Sequence, residues 1–127
     1  MTLKVNVYCG RCKMPIGYSS KKLEKICTVE KAARKALSPD TAKRILRKLE
    51  DLAAFNNLTE IPHRAPPLHF HPLTGDRSGQ FAIKIHGLDR ICFHPVGDFT
   101  TNEDGSVVLA SVTEVEVNFV GDYHKYG

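Results

Sequence analysis

Two shortages in the sequence exclude whole classes of protein. No run of residues is long and apolar enough to span a bilayer, and the first residues, MTLKVNVYCGRCK, lack the apolar segment of a secretion signal. Four cysteines among 127 residues are too few for a disulfide scaffold. A chain of this length can bury one core, so we expect a single domain over residues 1–127, located in the cytoplasm and without a membrane partner.

Positive charge is concentrated in the first half of the chain. Residues 1–60 carry thirteen Lys or Arg against six Asp or Glu, a net charge of +7, whereas residues 61–127 carry five against eight, a net charge of −3. A basic helical surface attracts nucleic acid, above all a phosphate-rich body such as a ribosome. A solvated helix face without a binding role explains the same charge, and both interpretations stay open.

Two amphipathic helices are predicted in this basic half. In YSSKKLEKICTVEKAARKAL, apolar residues recur at helical intervals after Ser19 or Ser20, either of which can cap the helix. The second helix has Ser38 as its N-cap and Pro39 at its first position. Its apolar stripe consists of Ala42, Ile45, Leu46, Leu49, Leu52 and Ala53, and Lys43, Arg44, Arg47 and Lys48 fall on the opposite, solvated side.

Alternating apolar and polar residues predict strands in the second half. QFAIKIH (80–86) and RICFH (90–94) are joined by a tight hairpin, and VTEVEVNFV (112–120) is a further strand with Val115, Val117 and Phe119 on its apolar side. The predicted fold class is therefore α+β. Two N-terminal helices pack on one face of a mostly antiparallel sheet of four or five strands, which leaves the other face open to solvent.

The open face of this sheet is predicted to collect acidic and basic groups, because side chains two positions apart share a face. The residues placed there are Lys84, His86, Arg90 and His94, joined by Asp122 and His124 if the last strand continues past Gly121. One polar face is also the ordinary state of an antiparallel sheet, so this pattern alone does not establish a site.

The residue types on this face could cleave RNA without a metal. The reaction needs a base for the 2′-hydroxyl, an acid for the leaving 5′-oxygen and a fixed cation for the charge on phosphorus. Histidine suits the first two roles because its pKa lies near neutrality, and arginine suits the third because its planar fork matches phosphate oxygens. His71, His124, Asp122 and Arg90 are residues of the required kinds.

Metal binding is the alternative chemistry. The segment HFH would place His69 and His71 on one strand face, where Asp122 or His124 could complete a site. Cys9 and Cys12 have the spacing of zinc ligands, but they are half of a structural site, so two free thiols in a loop are favoured over a zinc-bridged dimer. We expect neither a metal nor a cofactor.

Three segments in order, YSSKKLEKIC, LHFHPLTGDRSGQFAIKIHGLDRICF and VGDYHKYG, resemble the HigB-type killer toxins of the RelE superfamily, over about residues 15–124. The resemblance implies a RelE-like fold and the toxin of a type II toxin–antitoxin system. Such a toxin is a ribosome-dependent endoribonuclease, an mRNA interferase that cleaves translated messenger RNA without a metal and arrests growth by inhibiting translation. The implied partners are a HigA-like antitoxin with a helix-turn-helix, the ribosome, messenger RNA, and operator DNA through the antitoxin only.

The resemblance also implies roles for individual residues. The catalytic group would be His71, Arg90, Asp122, Tyr123 and His124, with the two histidines sharing proton transfer and Arg90 holding the phosphorane. The RNA-binding group would be Arg77, Lys84 and His86, to which the charge of the second helix adds Arg44, Arg47 and Lys48. Which histidine is the base stays open.

Two features depart from the family pattern. Thr74 stands where the family commonly has a lysine, which favours an alternative function: a catalytically weak or inactive RelE-fold protein that binds its antitoxin as a transcriptional co-repressor. Residues 1–13 form an N-terminal extension, either an added edge strand or an upstream start of little function. Residues from about 96 to 111 are predicted to be a loop or hairpin insert, as in some relatives.

Overall fold

The structure is a computed structural model that describes residues 13–122 and the backbone of residues 3–5. The strands are β1 (Leu3–Val5), β2 (Ile16–Tyr18), β3 (His71–Pro72), β4 (Phe81–His86), β5 (Asp89–Pro95) and β6 (Val115–Gly121). The helices are α1 (Lys21–Thr28), α2 (Glu30–Ala36) and α3 (Pro39–Ala53), and short 3₁₀ turns occupy Leu58–Glu60, Gly75–Arg77 and Leu109–Ser111. Of the predicted site residues, Tyr123 and His124 lie outside the described part of the chain, as do Cys9 and Cys12.

The first predicted helix is divided into two. Ser20 caps α1 by accepting a hydrogen bond from the Leu23 N–H, and the helix ends at Val29, whose backbone is extended (φ −117°, ψ 112°). Two β-branched residues, Thr28 and Val29, stand at this point, and such residues have low helix propensity. The Thr28 hydroxyl also donates to the Glu24 carbonyl at 2.7 Å. The described part of the chain therefore contains three α-helices, one more than the sequence predicts.

Helix α3 begins as predicted, with the Ser38 hydroxyl accepting from the Thr41 N–H and Pro39 in the first turn. Its buried stripe includes Ile45, Leu49 and Leu52. Leu46 was predicted to belong to this stripe, but 44% of it is exposed. The prediction was wrong because Leu46 follows Ile45 directly, about 100° further round the helix and away from the sheet.

The six strands form one sheet in the order β1–β2–β6–β5–β4–β3. All neighbouring pairs run antiparallel except β2 and β6, which run parallel. The sequence predicts four or five strands, and the sheet is larger because it includes the three-residue β1 and the two-residue β3 at its two edges. The backbone of β1 pairs with β2, so the N-terminal extension adds an edge strand.

The three helices cover one face of the sheet, which carries the main core. The Phe70 ring stacks on those of Phe81 and Phe93, which are tilted to each other by 31°, and the three centroids are 5.4–6.2 Å apart. The other sheet residues of this core are Ile83, Ile85, Ile91, Val115 and Val117. Burial of this face holds the helices against the sheet and leaves the opposite face for the site.

A β-bulge near the end of β6 changes the face of the sheet to which the following side chains point. Val117 pairs with Phe93 and Phe119 pairs with Cys92, so one extra residue of β6 lies between adjacent partners of β5. Phe119 consequently packs beside Cys92 on the open face, whereas the alternation of the sequence predicts it in the core with Val117. The prediction was wrong because a pattern of period two cannot show an inserted residue.

Asp122 and His124 were predicted to join the polar face only if the last strand continued past Gly121. The strand ends at Gly121, so Asp122 follows the strand and does not continue it.

Residues 96–111 form the predicted connection as an irregular segment with a turn, in which Thr101 pairs with Val107. Within the described residues, none of the helices has both the length and the hydropathy needed to cross a membrane.

Candidate anion-binding site

Three basic side chains meet on the open face at the β3 edge of the sheet. His71 of β3 pairs with Ala82 of β4, and two residues further along β4, Lys84 pairs with Arg90 of β5. Because directly paired residues share a face, His71, Lys84 and Arg90 project on the same side, away from the helices. The prediction that Lys84 and Arg90 leave the core together is consistent with this register.

These residues line a cavity of ≈220 Å³. Its full lining is Arg64, His69, His71, Lys84 and Arg90, which we call the basic cavity. Every one of these side chains is basic, and no carboxylate belongs to the part of the lining that the structure describes. A concave surface with charges of one sign focuses the electrostatic potential, so the basic cavity favours an anion.

The loop from Arg64 to Phe70 supplies two walls of the cavity. It is held by backbone hydrogen bonds from Arg64 N to Phe70 O (2.8 Å), and from Lys84 N on β4 to Leu68 O (2.7 Å). The Lys48 ammonium of α3 donates to the Pro67 carbonyl at 2.8 Å and ties the same loop to the helical layer. The loop is therefore anchored on both sides.

Two residues of this loop have left-handed backbones. Arg64 has φ +52° and His69 has φ +50°, a region that residues with a Cβ occupy at a cost of roughly 1–3 kcal/mol each. Both line the basic cavity. Strained residues of this kind are enriched at binding and catalytic sites, where the surrounding structure holds them.

The His71 ring is oriented by its own loop. Nδ1 lies 3.0 Å from the His69 carbonyl oxygen. A carbonyl oxygen can only accept, so Nδ1 carries the hydrogen and the neutral ring has its lone pair on Nε2. This is the tautomer in which Nε2 can act as a base.

Arg90 is fixed at the hairpin between β4 and β5. Its Nη1 donates to the Gly87 carbonyl at 2.7 Å and to the Asp89 carbonyl at 3.1 Å. A guanidinium has five N–H donors, so two bonds through one nitrogen hold the group in place and leave further donors for an anion. Gly87 has φ +58°, a conformation that glycine adopts without strain.

Cys92 lies beneath this face and is not a nucleophile. Burial raises the pKa of its thiol to about 11, although the nearby guanidinium groups of Arg77 and Arg90 act in the opposite direction. The thiol is therefore protonated at neutral pH, and a protonated thiol is unreactive.

Several predicted site residues lie outside the basic cavity. Arg77 lies over the Phe119 ring, with its guanidinium carbon 5.0 Å from the centroid, and donates to Gln80 at 3.1 Å. His86 is exposed at the end of β4, 3.9 Å from an Asp40 carboxylate oxygen.

The basic residues of α3 face acidic neighbours on the same helix. Arg44 lies 3.4 Å from the Asp40 carboxylate, and Arg47 lies 3.3 Å from the Asp51 carboxylate. Both are exposed i,i+4 pairs, which contribute little stability and reduce the net positive charge of this surface. Lys48 contacts the Arg64–Phe70 loop, as described above, and not the cavity itself.

Asp122, which alone of the predicted C-terminal triplet lies in the described part of the chain, follows β6 across the sheet from His71. Gly121 pairs with Arg90, and three interstrand spacings, roughly 14 Å, separate the β6 and β3 backbones. Lys84 and Arg90 lie between these two strands. His71 and Gly121 therefore lie on opposite sides of the two strands that carry these cations.

His94 belongs to a different cluster on the open face. Its Nε2 lies 3.3 Å from a Glu116 carboxylate oxygen and its Nδ1 lies 2.7 Å from the Asn118 amide. The histidine predicted to join Lys84 and Arg90 thus has its own partners further along β5.

The sequence pattern does not indicate Arg64 as a site residue, and it indicates His69 only as a possible metal ligand. The metal-binding alternative needed His69 and His71 on one strand face, but His69 has a left-handed backbone and β3 begins only at His71. The described residues contain no group of three or more His, Cys, Asp or Glu side chains that could hold a metal ion. The prolines near Arg64 mark a loop, but only the fold brings that loop to β4.

The sequence matches no protein-family model and no curated protein.

Proposed function

We propose that this protein is the toxin of a type II toxin–antitoxin system that cleaves translated messenger RNA in the cytoplasm, a ribosome-dependent endoribonuclease of the HigB type with a RelE-like fold. The observation that carries the proposal is the basic cavity, with five basic side chains, among them a histidine whose Nε2 carries the lone pair. A phosphodiester in this cavity would meet cations on several sides, and phosphate contacts supply most of the affinity of proteins for nucleic acid.

The reaction proposed is attack of the ribose 2′-oxygen on the adjacent phosphorus. The 2′-hydroxyl proton passes to a base, the new 2′-oxygen–phosphorus bond forms, and the phosphorus–5′-oxygen bond breaks as an acid protonates the leaving oxygen. The products are a 2′,3′-cyclic phosphate and a 5′-hydroxyl, so no water, metal or oxidant is consumed.

In this mechanism the described residues have distinct tasks. Arg90 and Lys84 neutralise the charge that develops on the phosphorane, and the Arg90 guanidinium is held in place for this role by the Gly87 and Asp89 carbonyls. His71 exchanges a proton through Nε2, a role that contributes typically about 10²–10⁴-fold to the rate. Arg64 and His69 bind the phosphate from the loop side.

Asp122, Tyr123 and His124 complete the proposal as the resemblance implies. His124 would share proton transfer with His71. Asp122 would set the charge or the histidine tautomer at the site, and Tyr123 would orient the nucleotide. The position of Gly121 opposite Arg90 supports this arrangement for Asp122, which follows Gly121 directly.

One observation favours a second candidate, an antitoxin-binding co-repressor without catalysis. The family lysine is replaced by Thr74, and Arg77, the nearest cation in the same turn, is stacked on Phe119 and bonded to Gln80. Arg77 in this position does not replace the missing lysine at the cavity.

The deciding experiment is induced expression in a growing bacterium of the wild type, Arg90→Ala and Arg34→Ala, with mapping of messenger RNA ends. We expect growth arrest and new ends within translated codons for the wild type and for Arg34→Ala, an exposed surface control on α2, and neither effect for Arg90→Ala. If the wild type produces no new ends, the ribonuclease proposal fails and the co-repressor takes its place.

A further inference from the structure

A second cavity, of ≈400 Å³, lies at the same sheet edge as the basic cavity. Its walls come from the end of β3, from the turn and first residue of β4, and from the insert at residues 104–109. We call it the edge cavity. Its lining contains none of the five side chains of the basic cavity, so the two are separate sites on one edge.

The two cavities are joined through consecutive residues of one strand. His71 lines the basic cavity, and Pro72 and Leu73 line the edge cavity. His71 belongs to the open face, whereas Pro72 pairs with Phe81 on the opposite face, so the edge cavity reaches round the end of the strand from the basic cavity. An RNA strand held by its phosphate at His71 would pass round this edge to place a neighbouring base in the edge cavity.

The walls of the edge cavity suit a flat aromatic ligand. Leu73, Phe81, Val107 and Leu109 supply apolar surface, and the exposed His63 ring stands at its border. Ligand sites typically combine apolar walls with a few placed polar groups, which here come from Gln80 and Asp104.

Gln80 offers a hydrogen-bond donor to this cavity. Arg77 Nη1 donates to the Gln80 side-chain oxygen at 3.1 Å. A guanidinium has no acceptor, so the oxygen must face Arg77, and the amino group is the end of the amide that remains for a ligand. The Arg77 contact thereby sets the direction of the amide.

Asp104 offers acceptors. Its Oδ1 accepts hydrogen bonds from the Ser106 backbone N–H at 2.9 Å and the Ser106 hydroxyl at 2.6 Å. These two bonds lower the pKa of the carboxyl below its ordinary value, so the group is ionised at neutral pH and can only accept. The turn also holds the carboxylate at the rim of the cavity.

We propose that the edge cavity binds a guanine base of the RNA strand whose phosphate lies in the basic cavity, an inference that rests on the proposed function for its substrate. Guanine presents N1–H and an amino group, which a carboxylate accepts, next to the O6 acceptor, which meets the amino group of Gln80. Adenine presents the opposite pattern, with an N1 lone pair toward the carboxylate and an amino group toward the amide donor. Single-stranded RNA is commonly read through these base edges.

The test is a nuclear magnetic resonance titration of the full chain with guanosine and with adenosine. Neither nucleoside has a phosphate, so binding reports the edge cavity and not the basic cavity. We expect guanosine to shift the amides of Gly79, Gly105 and Ser106 and to bind at least about fivefold more tightly than adenosine, the lower end for a matched base contact.

Asp104→Asn is the matched variant, because its side-chain oxygen can still accept from Ser106 while a donor replaces the second acceptor. Guanosine affinity should fall at least about fivefold in Asp104→Asn and stay unchanged in Glu103→Gln, a neighbour that does not line the cavity. Equal affinity for the two nucleosides, or an unchanged affinity in Asp104→Asn, would overturn the guanine site.

This result is independent of cleavage. Selective guanosine binding by a protein that leaves messenger RNA intact would support the guanine site and contradict the ribonuclease activity. Cleavage by a protein that binds guanosine and adenosine equally would support the ribonuclease activity and contradict the guanine site.

Discussion

The Nδ1 atom of His71 is hydrogen-bonded to the backbone carbonyl of His69, two residues earlier, at 3.0 Å. This contact joins the edge strand to a residue with a left-handed backbone, and it leaves Nε2 as the basic atom of the ring. The position of one proton in the site thus depends on the shape of the loop that precedes it.

His71→Asn should separate structure from catalysis at this position. An asparagine amide can replace the Nδ1 donor toward His69 but cannot act as a base, so we expect RNA cleavage to fall by about 10²-fold or more. The unfolding midpoint should stay close to that of the wild type, as measured by thermal denaturation. Retained cleavage would remove His71 from the mechanism.

Lys84→Met should change the salt dependence of RNA binding. If Lys84 contacts a phosphate, its loss should reduce the slope of log K against log salt concentration by about 0.7, the contribution of one contact to single-stranded nucleic acid. Fluorescence titration of a short RNA at several salt concentrations measures the slope. Lys31→Met, which removes an exposed lysine on α2, is the control, and an equal change in both variants would show that only net charge matters.

The basic surface of α3 is a separate prediction for ribosome binding. Replacing Arg44, Arg47 and Lys48 by glutamate should weaken co-sedimentation with ribosomes, more strongly at low salt, because surface charges are screened by ions. Arg47→Glu alone removes an ion pair with Asp51 of the same helix, whereas Lys48→Glu removes the contact to Pro67 of the Arg64–Phe70 loop. Unchanged, salt-insensitive co-sedimentation of the triple variant would contradict the prediction.

Leu49 and Leu46 test which side of α3 faces the core. Leu49 is fully buried, so Leu49→Ala should lower the free energy of unfolding by about 2–5 kcal/mol. Leu46 is 44% exposed, and Leu46→Ala should cost less than about 1 kcal/mol. Urea denaturation of both variants measures the difference, and comparable losses would contradict the packing of α3.

The buried thiols predict a loss of stability at alkaline pH. Burial raises the pKa of Cys92 to about 11 and that of Cys27 to about 12, whereas an unfolded cysteine has a pKa near 8.5. Both thiols are protonated in both states below pH 8, so their contribution is constant there. Above about pH 9 the unfolded state loses these protons first, and stability should fall by roughly 1.4 kcal/mol per pH unit for each thiol.

Urea denaturation between pH 8 and pH 10.5 measures this decline. Cys92→Ala should reduce the fall of the unfolding free energy with pH by the contribution of one thiol, even though the variant is less stable at every pH. An identical slope in the wild type and the variant would show that other groups cause the alkaline unfolding.

The helices and the central hairpin follow from local rules that act along the chain. Ser38 and Pro39 start α3 because a side-chain cap and a preset φ need no tertiary contact. The alternation around Ile83 and Ile91 places those residues in the core for the same reason, since a strand repeats every two residues. Lys84 and Arg90 are then required to face the other side.

What only the tertiary structure decided are the features that depend on residues distant in sequence. The bulge that turns Phe119 to the open face exists because the pairing register of β5 and β6 shifts by one residue between Cys92 and Phe93, and neither strand shows this alone. Arg64 and His69 reach the cavity because β4 and α3 hold their loop through Lys84 and Lys48. Composition and periodicity therefore determined the helices, the strands and the open face. The packing of a loop against a sheet edge decided which charged side chains share one cavity, because the distances between these side chains are set by the fold and not by their spacing along the chain.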